Sequence, residues 1–191
     1  MRERLKIGFV FDDSLDKSDG VQQYILTLGH YFQRVGHEVH YIVGQTQRKD
    51  VAHIHSVSKN LQTHFNQNRM STPLPASKRR IRQVLKNETF DVLHVQMPYS
   101  PFMAGRVIKM APKGTLIVGT FHIIPFSWLE SLATRALKLL LLRSLSKIRV
   151  KISVSLPAQK FAKHTWGIKS VVVPNVVHLA DYRAAKAQIG R

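Results

Sequence analysis

His122 follows the apolar run Thr115–Phe121. If that run is a strand, the imidazole stands at its carboxyl end, where it can serve as acid, base or hydrogen-bond donor. A similar polar group closes the preceding run, in His94-Val95-Gln96-Met97-Pro98-Tyr99-Ser100-Pro101. A third position lies after the first apolar run, in Asp12-Asp13-Ser14-Leu15-Asp16-Lys17-Ser18-Asp19-Gly20-Val21-Gln22-Gln23-Tyr24. Gly20 falls where this loop becomes a helix. A glycine there lets backbone N–H groups approach a phosphate, with the helix dipole favouring the anion. Asp19 equally fits the N-cap of that helix, and a glycine at a helix start is more often a turn than a site. No G-x-G-x-x-G occurs, which argues against a nicotinamide dinucleotide enzyme. Ten histidines are present, so a lone His122 also fits a satisfied core or surface residue. His53-x-His55 has strand spacing but lacks a third ligand in register, and no metal site is expected. The absence of cysteine excludes disulfides, thiolate metal sites and a cysteine nucleophile, and fits a reducing cytoplasm.

The cations are unevenly distributed. Residues 1–50 hold seven Lys/Arg and seven Asp/Glu, so the net charge of +18 resides in residues 51–191, whose acids are Glu88, Asp91, Glu130 and Asp181. Such asymmetry points to a polyanionic partner, nucleic acid or an anionic membrane, with a solubilising face as the plain alternative. Lys78, Arg79, Arg80 and Arg82 surround Ile81, Val84 and Leu85 on a short helix suited to an anionic interface. Trp128–Lys147 has a wider apolar face with a basic rim, and fits a helix covering a sheet at least as well as a membrane helix. No stretch has the ~18 uninterrupted apolar residues that a spanning helix needs. The amino terminus runs into a strand-like segment without an apolar signal region, so export is not expected.

Strands and helices must position these groups. Strands are predicted over Leu5–Phe11, Glu38–Val43, Val51–Val57, Val92–Val95, Thr115–Phe121, Val150–Val154 and Ser170–Val173, several continuously apolar as in strands buried on both faces. Helical patterns fill Val21–Val35, Ser77–Asn87, Phe102–Met110, Trp128–Lys147 and Pro157–His164. In the first helix Val21, Tyr24, Ile25, Leu28, Tyr31, Phe32 and Val35 form one stripe, and Gly36 sits where a left-handed cap is favoured. The alternation predicts an α/β fold with a doubly wound, mostly parallel sheet flanked by helices. The polar segment Ser58–Ser77 reads as a long loop. Ligands of such a sheet bind at the carboxyl ends of its strands.

Six segments in order resemble a known family: Lys6–Phe11, Asp19–Tyr24, Gly36-His37-Glu38-Val39, Asp91–Pro98, Thr120-Phe121-His122 and Val173-Pro174-Asn175. They are similar to the N-terminal domain of family 4 glycosyltransferases, retaining enzymes of the GT-B fold, and within that family resemble bacterial phosphatidylinositol mannosyltransferases. The resemblance covers nearly the whole chain. It implies a Rossmann-like domain over 1–178, with 179–191 starting a linker to a C-terminal donor-binding domain. It gives Gly20 to the donor diphosphate and His122 to the reaction centre beside the transferred sugar. Gln22, Asp13 of the same loop, and Arg69 lie towards the acceptor, and the helix bearing Lys78, Arg79, Arg80 and Arg82 docks on anionic membrane. The implied donor is a UDP- or GDP-linked sugar, with no metal or other cofactor. The implied acceptor is a lipid or lipid-linked glycan at the inner face of the cytoplasmic membrane.

Three departures from the family pattern stand out. Asp19 replaces the first of two glycines, and Pro174-Asn175-Val176-Val177-His178 replaces Pro-Asn-Gly-Val-Asp. The paired glutamates of the family's donor site are missing, since the glutamates here are Glu3, Glu38, Glu88 and Glu130. The expectation is therefore an acceptor-side half, inactive without a second domain from the same gene or a separate chain. The alternative is a non-catalytic basic module for anionic lipid or nucleic acid. The lack of aromatics among the cations of 78–86 disfavours nucleic acid.

Overall fold

The computed structural model describes residues 3–17, 19–65, 68–73, 75–122 and 141–175, and of 60–73 the backbone alone. The predicted domain boundary at 178 and the segment 179–191 lie outside the described residues. The strands are β1 (Lys6–Val10), β2 (Glu38–Gly44), β3 (Ile54–Ser58), β4 (Asn60–Phe65), β5 (Asn68–Pro73), β6 (Val92–Gln96), β7 (Leu116–Phe121), β8 (Val150–Ser153) and β9 (Val171–Val172). The helices are α1 (Gly20–Arg34), α2 (Lys78–Glu88), α3 (Ala104–Met110), α4, described over 141–145, and α5 (Leu156–Trp166).

Seven strands form one parallel sheet in the order β3-β2-β1-β6-β7-β8-β9. The chain builds outward from β1 to β3, then returns to add β6 on the other side of β1. This reversal places a topological switch point between β1 and β6, where doubly wound sheets bind ligands. The predicted fold class is therefore the observed one, with helices on both faces.

The period-2 alternation of the strands separates two cores. Ile7, Phe9 and Phe11 face α1 together with Val39, Tyr41 and Val43. Val10, Ile42, Leu93, Val95, Ile117 and Phe121 face the opposite way, packing with Ile81 and Leu85 of α2, Val107 and Ile108 of α3, Leu141 and Leu145 of α4, and Trp166 of α5. Gly36 adopts the predicted left-handed conformation, with φ 99°.

Two predicted features change. The stripe of α1 is rotated: Gln22, Tyr24, Ile25 and Gly29 are buried, while Tyr31 and Val35 face solvent. The reason is close approach at Gly29, where an added Cβ would lie 2.2 Å from the Tyr41 hydroxyl. The helix can pack this tightly against β2 only through a residue without a side chain. The segment read as a loop, Ser58–Ser77, contains an antiparallel hairpin in which β4 pairs with β5, Leu61 opposite Thr72 and Thr63 opposite Met70. Its strands are polar, so hydrophobic patterning did not reveal them. Of the expected helix Trp128–Lys147, residues 128–140 lie outside the described residues.

Candidate active site

The crevice at the switch point is built from the carboxyl ends of β1, β6 and β7. In the register of β6 and β7, His94 pairs with Val118 and Gln96 with Thr120. Because side chains alternate, His94, Gln96, Thr120 and His122 all project towards the α1 face, and all four are buried. They form a polar row at the end of an otherwise apolar sheet. Tyr24 of α1 lies across it, with its ring edge-on to His122 at 5.7 Å and to His94 at 6.1 Å.

Each imidazole of the row has a neutral partner. His122 Nε2 lies 3.0 Å from Gln96 Oε1, and His94 Nε2 lies 2.6 Å from Thr120 Oγ1. Burial lowers both histidines to a pKa of about 4, because the cation would lose its hydration. His122 is therefore neutral at pH 7. An amide oxygen only accepts, so His122 donates its Nε2–H to Gln96 and keeps Nδ1 as a bare acceptor. A neutral ring with so low a pKa is a poor proton carrier near neutrality. What such a ring can do is accept a hydrogen bond at Nδ1. The Tyr99 hydroxyl donates to the His122 carbonyl at 3.1 Å and fixes the backbone beneath it.

The loop after β1 supplies the opposite wall. Asp19 is the N-cap of α1, with its Oδ1 accepting from Val21 N at 3.0 Å and Gln22 N at 3.1 Å. The carboxylate thus caps the helix, as the sequence allowed. Gly20, the first helical residue, is exposed, and an added Cβ would meet nothing within 4 Å. Neither packing nor a positive φ requires glycine there. Its effect is to leave the helix start approachable.

Gln22 is fully buried and donates from Nε2 to the Ser14 carbonyl at 3.0 Å, while its Oε1 has no hydrogen-bond partner. The rotation of α1 turns this side chain inward, where it ties the loop to the helix. Asp13 accepts from Ser14 N at 2.7 Å and from Lys17 Nζ at 3.3 Å. Arg69 lies on β5 opposite His64, away in sequence from the crevice, and its side chain is outside the described residues.

Asp12, which the sequence reading passed over, holds the floor together. Its buried carboxylate accepts from Met103 N at 3.1 Å, from Ala104 N at 2.8 Å and from the Ser100 hydroxyl. Burial raises its pKa, opposed by these hydrogen bonds. Gln96, Thr120 and Tyr24 were also missed. The signal available was polar residues at alternate positions, His94-x-Gln96 and Thr120-x-His122, at the ends of two apolar runs.

Lys78, Arg79, Arg80 and Arg82 are all exposed on α2, as expected, while Ile81 and Leu85 are buried. Ser77 caps this helix by accepting from Arg80 N. Among the described residues no helix is long and apolar enough to cross a membrane.

Known proteins share this fold. The profile of Glycosyltransferase Family 4 matches residues 18–181. A phosphatidyl-myo-inositol mannosyltransferase of Propionibacterium freudenreichii subsp. shermanii is 29% identical over 194 residues, covering 96% of this chain and 49% of the relative. The enzyme of the same name from Mycolicibacterium smegmatis is 28% identical over 183 residues, covering 95% and 46%. Among solved structures, an alpha-glucosyltransferase in complex with UDP and a 13-mer DNA superimposes with a TM-score of 0.60 at 13% identity, over 96% of this chain and 45% of that one. At such identity the likeness shows the fold alone. The chain spans about half the length of the curated relatives it matches. With the family profile covering most of its residues, the chain belongs to glycosyltransferase family 4.

Proposed function

We propose that this chain is the acceptor-side half of a retaining family 4 glycosyltransferase. A second, donor-binding domain would supply most of the contacts to a UDP- or GDP-linked sugar. The sugar would pass to a lipid or lipid-linked acceptor at the inner face of the cytoplasmic membrane. The observation that carries the reading is the buried polar row ending in neutral His122, at the switch point of a parallel sheet. The names of the relatives, phosphatidyl-myo-inositol mannosyltransferases, support a phosphoinositide acceptor and a mannosyl donor.

In this reading each group has a limited task. His122 Nδ1 accepts a hydrogen bond from a hydroxyl of the transferred sugar, and Gln96 holds the ring so that this atom faces the crevice. The amino end of α1 at Gly20 faces the leaving diphosphate, whose charge is met by the helix dipole and by cations, without a metal. Asp19 must yield part of its cap for the phosphate to approach the Val21 and Gln22 N–H groups. Gln22, Asp13 and Arg69 are assigned to the acceptor side, with Gln22 acting from its unpartnered Oε1. The cations of α2 hold the domain on anionic lipid. Alone, the chain lacks substantial transferase activity.

The test is transfer of labelled mannose from GDP-mannose to phosphatidylinositol vesicles by the chain co-expressed with the donor-binding domain of a relative. Transfer is expected only when both parts are present, and His122→Ala should lower it by on the order of 100-fold or more. Undiminished turnover in that variant overturns the assignment of His122. Vesicle binding without transfer in any combination favours the non-catalytic basic module.

A further inference from the structure

We propose that His40, His55 and Glu88 form a site for a divalent transition-metal ion of the Zn2+ type at the amino end of the sheet, opposite the crevice. The three come from separate elements: His40 from β2, His55 from β3 and Glu88 from the last turn of α2. Their ligating atoms all lie within 4.8 Å of one another. His40 Nδ1 is 2.9 Å from His55 Nε2, 3.7 Å from one Glu88 oxygen, and His55 Nε2 is 3.9 Å from the other. A tetrahedral ion with bonds of about 2.0–2.1 Å holds its ligand atoms roughly 3.3–3.4 Å apart. The two nitrogens must therefore open by about half an ångström and the carboxylate close by a similar amount. Both are within reach of side-chain rotation.

The surroundings are those of a supported ligand set. His40 Nε2 lies 2.8 Å from Glu38 Oε1, so a neutral His40 donates there and presents Nδ1 as a lone pair. This carboxylate–histidine pairing fixes the tautomer and orientation that metal-bound histidines need. The rings of His40 and His55 are parallel, 2° apart in plane, and His53 stacks on His40 at 4.5 Å. His40 is buried, whereas the side chains of His55 and Glu88 are 20% and 23% exposed, which leaves an entry path and room for water as fourth ligand. Two imidazoles and a carboxylate favour Zn2+, Cu2+, Ni2+ or Co2+ over Mg2+ or Ca2+. Lys6 Nζ lies 3.0 Å from Glu38 and 3.2 Å from Glu88, and is the resident cation the ion would displace from Glu88. On binding, the ion takes the place of the proton between the two imidazoles, which passes to His55 Nδ1. The result is a clamp joining α2 to two strands.

The experiment is a titration of the untagged 191-residue chain with Co2+ and Zn2+ at pH 7.5, reading Co2+ absorption, calorimetric stoichiometry and melting temperature. The expected result is one equivalent of tetrahedral Co2+, displaced by Zn2+, with a rise in melting temperature. His55→Gln and Glu88→Gln should each weaken binding at least about tenfold, and Glu38→Gln by roughly 10- to 100-fold through loss of ring orientation. His164→Ala, on the exposed last turn of α5, should leave it unchanged. Since the first two substitutions alter partly exposed side chains, the test stays readable if His40→Ala fails to fold. Binding that survives His55→Gln and Glu88→Gln, or no saturable binding below millimolar ion, overturns the site.

Discussion

The two ends of the sheet surround the same side chain with different partners. At the carboxyl end, His94 and His122 are buried beside α1, each with a neutral partner. At the amino end, on the α2 face, buried His40 and partly exposed His55 stand among Glu38, Glu88 and Lys6. The first environment removes charge from the imidazole. The second surrounds it with ions, and there the Glu38 carboxyl is held down to about 2 by its hydrogen bond from His40 and by Lys6. What decides the chemistry of a histidine here is the desolvation and partner that the fold supplies, and only secondarily its place in the sequence.

The strongest way to break this comparison is acid. Since burial holds His94 and His122 at about 4 against an ordinary 6.5, the unfolded chain binds more protons than the folded one between those values. Stability is therefore full above pH 6.5 and is lost as the pH falls towards 4, by about 1.4 kcal/mol per unit for each imidazole. Asp12 works the other way, because its raised pKa lets the folded state take up a proton early. The net expectation is a loss of several kcal/mol, measured as the urea midpoint from pH 7 to 4.5, and a shallower slope in His94→Gln. A flat profile would mean the carboxyl-end imidazoles are not dry.

Glycine substitutions probe the packing of α1 more locally. Gly29→Ala drives a methyl into Tyr41 and should cost about 1–3 kcal/mol. Gly20→Ala enters open space and should leave stability within about 0.5 kcal/mol; under the proposed function it should weaken donor-diphosphate binding once the chain is paired with a donor-binding domain. Equal thermal cost at both positions would contradict the packing described for α1. The smallest change in stability belongs to α2. Replacing Lys78, Arg79, Arg80 and Arg82 by Gln should move the chain by less than about 0.5 kcal/mol yet release it from anionic vesicles in a flotation assay. Retained flotation would place lipid contact elsewhere.

The elements that repeat with a strong apolar period were readable from sequence, and so were α1 with its Gly36 cap and the position of His122. What escaped depended on contacts between distant segments. The rotation of α1 follows from Gly29 meeting Tyr41, twelve positions away, which no helical stripe encodes. The hairpin of β4 and β5 pairs polar residues, so it carried no hydrophobic signal. The His40, His55 and Glu88 cluster was not visible in His53-x-His55 because its members come from three elements, with His40 fifteen residues before His55 and Glu88 thirty-three after it. Gln96 and Thr120 became recognisable as supports of the site only once parallel pairing set them side by side.

The Asp12 contacts also bear on the order in which the molecule folds. They join one side of the switch point to groups 88 to 92 residues later, in the connection into α3. Closing so long a stretch costs entropy before any contact is gained. Local units such as β1-α1-β2 can assemble first, whereas the crevice floor is complete only when β6 has docked against β1. Emergence of the amino-terminal third from a ribosome would therefore yield the start of α1 without its facing wall, and the crevice floor would be completed late in synthesis.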